Sequence, residues 1–317
     1  MSKTVYLMGR IKNNSGDALI CHSTKKLLES FNFTIKYVKR DGSRHLKENE
    51  LREINSCDYF VIAGGPCVSD QIYPLLYPLV RNLDNIKSKI ILYGVGLEIV
   101  IKNYNKSFQN KLLSRAEIFT RDKITKKYLV SHNFDCKVSG CSVLFNGGNV
   151  VKKFKEVKDG KILFSVSSRY SKLENKILNI LLKKFTSDRL IVCFNHGLTR
   201  NYANFINLLK SKNIQIVDNG KNLDSMIKYA SMVDFHVGTR VHNHLLSLSL
   251  GVKSLLITID QRGVGQIESY GSGFDIKNTE LHKLEKNIDN ALNSDFQVVV
   301  DKITNQFNTT RSYLLNV

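Results

Sequence analysis

The chain has 317 residues, 24% of them charged and 42% hydrophobic, and a formal net charge of +19 at pH 7. These values are typical of a globular protein of about two domains and argue against a disordered chain. No run approaches the ~18 apolar residues that a membrane-spanning helix needs. The first ten residues predict a strand and not a signal peptide, so we expect a cytoplasmic protein.

The six cysteines form no C-x-x-C pair and no zinc-ligand spacing. We therefore expect buried, reduced thiols and no metal site. The positive charge is spread over both halves of the chain, and no arginine-rich helix, zinc finger or RNA-binding aromatic motif accompanies it. It therefore favours an anionic membrane surface or acidic small molecules as partners over nucleic acid.

The first half of the chain alternates predicted strands with helical stretches. One helix is expected to run to about Phe31 with Asp17 or Ser15 as its cap, and another to follow Arg121-Asp122 as far as about Ser131. Such alternation predicts a parallel sheet covered on both faces by helices. The predicted strands are residues 4–8, 35–38, 59–63, 90–93 and 117–120.

A polar, lysine-rich break follows at residues 146–160, and a second alternating series begins after it. We predict an N-terminal domain at 1–150, a second domain at 151–290 and a helical segment at 291–317 that packs back on the first domain. The arrangement is α/β, with two doubly wound, Rossmann-like domains as in glycosyltransferase-B-like enzymes. Ligands of such a pair are expected in the interdomain cleft, at the carboxyl ends of the strands.

The predicted elements of the second half follow the same pattern. The strands are residues 162–166, 190–194, 214–217, 233–237 and 255–259, and the helices are residues 173–185, 203–210, 223–230, 241–250, 281–292 and 301–315.

Residues 233–251 carry the clearest functional pattern. A buried strand leads into a predicted turn at Gly238-Thr239, and a helix follows that Gly251 suits as its C-terminal cap. A helix N-terminus after such a turn offers backbone N–H groups to an anion, and Arg240 adds a planar charged fork. His242 lies beside it as a candidate base. The pattern also occurs in α/β domains without a role, and Arg240 and His242 converge on one ligand only if Arg240 precedes the helix.

Two other glycine turns follow predicted strands. Neither Gly64-Gly65 nor Gly94-x-Gly96 completes a dinucleotide fingerprint, and no Walker sequence is present. We therefore predict no NAD or ATP site and no cofactor.

Several segments together resemble the polysaccharide pyruvyl transferase family, across roughly residues 9–271. The most specific is Gly238-Thr239-Arg240-Val241-His242, which resembles the family's G-x-R-x-H. Weaker matches in the same order are Asn14-Ser15-Gly16-Asp17, Gly64-Gly65-Pro66 and Thr120-Arg121-Asp122. The chain departs from the family pattern at Pro66 for glycine, Lys253 for proline, Thr125 for serine and Cys141-Ser142 for Asp-Pro.

The resemblance implies transfer of a pyruvyl group from phosphoenolpyruvate to a sugar, with a cyclic ketal as product. It implies donor contacts from Arg240, Arg121, Gly238 and Thr239, and acid/base chemistry by His242. Arg169 joins the donor side from its placement after a strand. Asn14, Asp17, Gly64 and Gly65 are the candidates on the acceptor side, and Asp17 serves equally well as a helix cap.

Three further residues are weaker candidates. His196 follows a strand, where an ordinary surface histidine is at least as common. His244 is expected to be a structural neighbour of the site. Asp260 could orient a histidine, bind a sugar hydroxyl or only cap the turn that follows it.

Two other functions remain open from the sequence. One is a nucleotide-sugar glycosyltransferase of the same fold, although the chain contains no Asp-x-Asp. The other is a non-catalytic carbohydrate- or anion-binding relative. The basic surface favours a polyprenyl-phosphate-linked acceptor at the inner membrane face, whereas the acceptor sugar and the oligomeric state are not predicted.

Overall fold

The computed structural model describes residues 2–9, 15–40, 46–65, 74–97, 106–167, 171–198, 200–220 and 222–317. The predicted site residues Asn14 and Arg169, and Pro66, lie outside these ranges. The chain divides into two compact units. The first unit comprises residues 2–9, Asp17–Val150 and Ile303–Val317, and the second comprises residues 15–16 and Val151–Lys302.

The first unit is built on a six-stranded sheet whose paired strands all run parallel, in the order β2-β1-β3-β4-β5-β6. Its central strands are buried along nearly their whole length, because helices cover both faces of a parallel sheet. The strands are β1 Thr4–Gly9, β2 Thr34–Arg40, β3 Tyr59–Ala63, β4 Lys89–Val95, β5 Ala116–Thr120 and β6 Lys137–Val138.

Helices and short 3₁₀ segments connect these strands. The predicted cap of the first helix is wrong: the helix begins at Ser15 itself, and Asp17 lies inside its first turn. The helices are α1 Ser15–Ser30, α2 Glu48–Asn55, α3 Lys106–Arg115 and α4 Lys123–Ser131, with 3₁₀ segments at Pro74–Leu79, Leu83–Asn85 and Ser142–Gly148.

The second unit repeats the plan. Its six-stranded sheet is again parallel, in the order β12-β11-β10-β7-β8-β9. The strands are β7 Ile162–Val166, β8 Leu190–Phe194, β9 Gln215–Asp218, β10 Phe235–Gly238, β11 Lys253–Thr258 and β12 Ile276–Lys277. The prediction of two parallel α/β sheets is confirmed. β6 and β12 were not predicted from the sequence, because each is two residues long and carries no periodic signal.

The helices of the second unit cover both faces of this sheet. The predicted boundaries near the C-terminus were wrong: a 3₁₀ segment, Asn278–Lys283, precedes α10, the last helix begins at Gln297, and α9 had not been predicted. The helices are α5 Ser171–Lys184, α6 Ala203–Ser211, α7 Leu223–Met232, α8 Val241–Ser249, α9 Gln261–Tyr270, α10 Leu284–Asn293 and α11 Gln297–Leu315.

The end of α11 contributes to the core of the first unit. The Gln306 side chain donates a hydrogen bond to the carbonyl of Val138 at 3.0 Å. The Phe307 ring lies 5.7 Å from that of Phe31 and 5.6 Å from that of Phe145, centroid to centroid. Aromatic pairs at these separations add stabilisation to the area that they bury.

Two observations bear on the composition of the chain. Among the described residues, no helix has the length and apolar character needed to cross a bilayer. The five cysteines in the described ranges are buried and free, as predicted, and no group of metal-ligating side chains occurs there.

Candidate functional site

The turn between β10 and α8 holds the most specific sequence motif. Gly238 is the last residue of β10, and not part of the turn as predicted. A side chain at position 238 would collide with the backbone and hydroxyl of Ser165 on neighbouring β7. The Thr239 N–H donates to the Ser165 carbonyl at 3.1 Å. Glycine is therefore needed at position 238 because β10 and β7 approach closely there. The turn begins directly after this contact.

The far end of α8 confirms the predicted cap. Gly251 has a φ of +70°, and the N–H of Val252 donates to the carbonyl of Ser247 at 2.9 Å. This is the left-handed glycine termination common in α-helices, and it sets the length of α8.

Arg240 is the N-cap residue of α8, in an extended conformation with φ −96° and ψ 107°. It therefore lies in the turn, as the convergence of Arg240 and His242 on one ligand requires. A guanidinium has donors and no acceptor, so it cannot cap the helix N–H groups, and no such cap bond is present. The first turn of α8 is thus left without a side-chain cap from its own N-cap residue.

The guanidinium of Arg240 lies against His196, which follows β8. Arg240 Nη2 is 2.7 Å from His196 Nε2. Because the guanidinium can only donate, Nε2 must be the acceptor, and the imidazole is neutral with its proton on Nδ1. His196 is exposed, but its ring orients the arginine of the motif.

His242 is the second residue of α8 and is half-buried. The backbone N–H groups of residues 241–243 have no acceptor within the helix, whereas His244 N–H already donates to the Arg240 carbonyl at 3.1 Å. These N–H groups and the positive end of the helix dipole lie beside the Arg240 side chain. The three features together match what an anion-binding helix N-terminus requires, and they lie next to an imidazole.

A buried carboxyl group lies behind Arg240. The carboxyl of Glu174, on the first turn of α5, accepts the N–H of Ser167 and lies 3.0 Å from the Tyr202 hydroxyl. Burial raises the pKa of Glu174 to about 7, against the lowering effects of the hydrogen bonds from Ser167 and Tyr202 and of the charge of Arg240. Tyr202 also contacts the Ser167 carbonyl. One hydroxyl proton cannot serve two acceptors, so both contacts are hydrogen bonds only when Glu174 is protonated.

Two amide side chains connect the end of β8 to α8. Asn195 Nδ2 donates to Asn243 Oδ1, and Asn243 Nδ2 lies 3.4 Å from Cys193 Sγ. In the described part of the chain, Asn195 Oδ1 and Thr239 Oγ1 are buried without a hydrogen-bond partner. These atoms follow β8 and β10, which lie on either side of β7, and buried polar atoms without a partner call for an explanation such as a polar ligand.

The other second-unit candidates have structural contacts. His244 is buried, with Nδ1 2.7 Å from the Ser254 hydroxyl. Asp260 caps α9 by accepting the N–H groups of Arg262 and Gly263 at 3.0 and 3.3 Å, and it pairs with the Arg262 side chain. Burial raises the pKa of Asp260, but these partners outweigh it and hold it below its usual value.

Arg121 belongs to the first unit. Its guanidinium is buried, lies 3.2 Å from the Asp122 carboxylate and packs so closely on Gly96 that no side chain would fit there. Burial raises the pKa of the nearby Cys141 thiol to about 11, although Arg121 lowers it. Position 141 therefore holds a neutral thiol near a buried cation.

The remaining first-unit candidates are close to the carboxyl ends of strands. Gly64 and Gly65 follow β3 with φ values of +63° and +86°, and a side chain on Gly64 would collide with Ile20. Asp17 is partly buried in the first turn of α1. Geometry thus explains the two glycines as turn residues, whereas Asp17 is placed at a helix N-terminus.

The sequence did not identify Glu174, Tyr202 or the pair Asn195 and Asn243. A glutamate in the first turn of a helix is ordinarily a solvent-exposed partner of the helix dipole, so its sequence position gave no sign of burial. Its partner Tyr202 lies 28 residues further along the chain, so no local motif connects the two. Only the Asn195-His196 dipeptide directly after a strand offered a usable signal.

The comparisons with known proteins agree with this architecture. Residues 14–261 match the polysaccharide pyruvyl transferase family. A search of curated proteins returned no match.

Solved structures share the fold at low sequence identity. UDP-GlcNAc 2-epimerase from Methanocaldococcus jannaschii is 15% identical, with 99% of each chain covered and a TM-score of 0.59. A putative UDP-N-acetylglucosamine 2-epimerase from Listeria monocytogenes is 12% identical, with 99% of this chain and 95% of that chain covered and a TM-score of 0.59. OtsA is 12% identical, with 99% and 97% covered and a TM-score of 0.52.

These similarities confirm the glycosyltransferase-B-like fold class. The family match spans well over half of the chain and includes the turn that carries Arg240 and His242. The chain belongs to the polysaccharide pyruvyl transferase family.

Proposed function

We propose that this protein transfers the pyruvyl group of phosphoenolpyruvate to a sugar of a cell-surface polysaccharide or its precursor, forming a pyruvate ketal. The observation that carries the proposal is the N-cap position of Arg240 at α8. A cationic side chain that cannot cap the helix stands at the N-terminus of α8, and the two together suit a ligand that brings anionic oxygens. Phosphoenolpyruvate has two such groups, a carboxylate and a phosphate.

Arg240 is the donor-binding residue in this proposal. Its contact with neutral His196 fixes the orientation of the guanidinium without neutralising its charge. Thr239 Oγ1 and Asn195 Oδ1, both buried, supply further polar atoms at the same strand ends. Gly238 contributes by letting the turn lie close to β7. Arg121 and Arg169 stay predictions as further donor contacts.

His242 is the proposed acid/base group. The enol carbon C3 of the donor gains a proton, and C2 becomes electrophilic. One sugar hydroxyl adds to C2 and loses its proton. The bond between C2 and the bridging oxygen then breaks, and phosphate leaves with that oxygen and the electron pair. The second hydroxyl adds to C2, loses its proton and closes the ketal. The two hydroxyl protons thus balance the proton on C3 and the proton on the released phosphate. An imidazole in the first turn of α8 can shuttle them because its ordinary pKa lies near neutrality.

The acceptor contacts are assigned to the first unit, with Asp17 as the described candidate. Asn14 lies outside the described residues, and Gly64 and Gly65 would act only through their backbone. The charge of +19 supports an acceptor linked to a lipid phosphate, because a cationic surface is attracted to anionic headgroups.

Isothermal titration of phosphoenolpyruvate tests the proposal. We expect Arg240→Ala to weaken binding by about 2 kcal/mol, the scale of a lost charged hydrogen bond. Arg189→Ala is the matched control, because Arg189 is also half-buried but precedes β8, at the opposite edge of the sheet. We expect Arg189→Ala to bind phosphoenolpyruvate with the affinity of the wild type.

The other outcomes separate the alternative functions. Binding of UDP or a UDP-sugar without binding of phosphoenolpyruvate would favour a glycosyltransferase. Binding of phosphoenolpyruvate without phosphate release in the presence of any sugar or lipid-linked acceptor would favour a non-catalytic relative. Equal affinities of the Arg240→Ala and wild-type proteins would overturn the assignment of the donor site.

A further inference from the structure

A continuous chain of buried polar side chains crosses the sheet of the second unit beneath the α8 turn. Ser165 Oγ lies 2.8 Å from His236 Nε2, and His236 Nδ1 lies 2.7 Å from Ser254 Oγ. Ser254 Oγ is also 2.7 Å from His244 Nδ1, and His244 Nε2 is 3.9 Å from Asp275 Oδ2. All five side chains are almost inaccessible to solvent. Polar groups buried in this way are expensive unless each finds a partner.

The strand register produces the chain. His236 on β10 pairs with Ser254 on β11, so their side chains leave the same face of the sheet. Ser165 on β7 pairs with Gly238, two residues further along β10 on that face. His244 reaches Ser254 from α8. The backbone N–H groups of Leu256 and Ser272 hold the Asp275 carboxylate at 2.7 and 2.9 Å.

The protons of this chain can be assigned from its chemistry. Ser254 has one proton and faces two Nδ1 atoms, so it donates to one imidazole and accepts from the other. If it donated to His236, His244 would turn a bare nitrogen lone pair towards the Asp275 carboxylate. If it donates to His244, the Nε2–H of His244 faces Asp275 instead. The second arrangement is electrostatically favoured, and in it every hydrogen bond runs from Ser165 towards Asp275.

Two members of the chain bond to the backbone of the candidate site. The Ser165 carbonyl, at one end of the chain, accepts the Thr239 N–H, and the Ser165 hydroxyl lies against Gly238. The N–H of His244, the fourth member, donates to the carbonyl of Arg240 at 3.1 Å. The backbone on either side of the Arg240 turn is therefore fixed by members of the chain.

We infer that the buried chain from Ser165 to Asp275 positions the turn that carries Arg240 and His242, and that both of its imidazoles are neutral with opposite tautomers. His236 carries its proton on Nδ1 and His244 on Nε2. Burial favours the neutral forms because it lowers the pKa of both histidines, although Asp275 raises that of His244. The five side chains are positioning residues. The inference rests on the proposed function only for the role of the turn.

Nitrogen-15 spectra of the imidazoles test the tautomers in the wild-type protein at pH 7, with His→Asn variants for assignment. We expect His236 and His244 to be uncharged, with the proton on Nδ1 of the first and Nε2 of the second. A charged ring or the reversed pair of tautomers would overturn the inference. This measurement needs neither substrate nor activity.

A pair of serine variants tests the positioning role. Ser254→Ala breaks the chain at its centre, whereas Ser249→Ala removes a hydroxyl that is also buried but, among the described residues, bonds to the Leu246 carbonyl within α8, at 2.8 Å. We expect Ser254→Ala to shift the imidazole signals of His242 and to lower kcat/KM for phosphoenolpyruvate roughly ten- to a hundredfold, as a small misplacement does. Ser249→Ala should change neither.

The outcomes separate this inference from the proposed function. If Ser254→Ala and Ser249→Ala leave His242 and turnover equally unchanged, the chain has no positioning role. If the wild type neither binds nor turns over phosphoenolpyruvate, the proposed function fails. The His242 signals of Ser254→Ala and Ser249→Ala still test whether the buried chain positions the turn. Ser254→Thr keeps the hydroxyl and should restore the wild-type signals. If Ser254→Ala does not fold, the inference is tested by the imidazole tautomers of the wild type and by the His242 signals of Ser165→Ala.

Discussion

Two turns in this molecule have the same plan and different chemistry. In the first unit, β5 ends at Thr120, Arg121 follows, and α4 begins at Lys123. In the second unit, β10 ends at Gly238, Arg240 follows Thr239, and α8 begins at Val241. Each is a buried parallel strand followed by an arginine and a helix.

The difference lies in the N-cap residue. Asp122 caps α4 by accepting the Thr125 N–H at 2.7 Å, and the same carboxylate contacts the buried Arg121. At α8 the arginine itself occupies the N-cap position and makes no cap bond. The first helix end is thus capped by an acid of the chain, whereas the N-cap residue of the second is the arginine that we propose as the donor contact. The residue at the cap, and not the arginine alone, distinguishes a structural turn from a candidate binding turn.

Removing the internal acid should have the largest effect. We expect Asp122→Ala to lower the free energy of unfolding of the first unit by about 4 kcal/mol, because it removes a cap and leaves the buried Arg121 without that carboxylate. Hydrogen exchange of first-unit peptides over a urea titration measures it, since a chain of two units need not unfold in one step.

The control for Asp122→Ala is another N-cap. Asn222 caps α7 by accepting the Ser225 N–H at 2.9 Å at an exposed site, and no arginine pairs with it. Asn222→Ala should cost about 1 kcal/mol in the second unit. Equal losses for the two variants would show that the pair with Arg121 adds nothing to the cap.

The second turn also has an acid near it, and its ionisation should give the next largest effect. Burial raises the pKa of Glu174 to about 7 from the usual 4.5. The folded protein therefore holds this proton more tightly than the unfolded chain does. The stabilisation is fully present below pH 4.5 and is lost as the pH rises from 4.5 to about 7, by about 3 kcal/mol in total.

Glu174→Gln isolates this contribution, because glutamine is neutral at every pH and can still accept the Ser167 N–H. Between pH 4.5 and about 7, the unfolding free energy of the wild type should fall relative to that of the variant, and above this range the difference should stay constant. Glu268→Gln, at an exposed position, is the control for replacing a glutamate with glutamine. A pH-independent difference would mean that Glu174 ionises in the folded state as it does in the unfolded chain.

The sequence was sufficient for the fold because alternating strands and helices leave a strong signal. Five strands of each sheet follow from buried runs such as Ile162–Val166, whereas β6 and β12 could not be predicted because two residues have no period. The end of α8 was predicted at Gly251 because glycine is common where a helix ends in a left-handed residue.

The candidate site could be predicted only where it is local in sequence. Arg240 and His242 lie within three residues of each other, so one motif carried both. The contact of Arg240 with His196 spans 44 residues, and that of Glu174 with Tyr202 spans 28. Such contacts depend on the order of the strands, with β8 and β10 on either side of β7. A single sequence contains no direct signal for that order.

The smallest effect should come from converting the second turn into the first. Arg240 already has the extended backbone that a capping residue takes. We therefore expect Arg240→Asp to cap α8 as Asp122 caps α4 and to raise the unfolding free energy of the second unit by about 1 kcal/mol. Phosphoenolpyruvate binding should disappear, because a carboxylate would then occupy the place of the guanidinium. Arg240→Ala provides neither cap nor cation and should weaken binding by about 2 kcal/mol without the gain in stability. If Arg240→Asp proved less stable than Arg240→Ala, an acid at the N-cap position would not stabilise α8, and the contrast between the two turns would not hold.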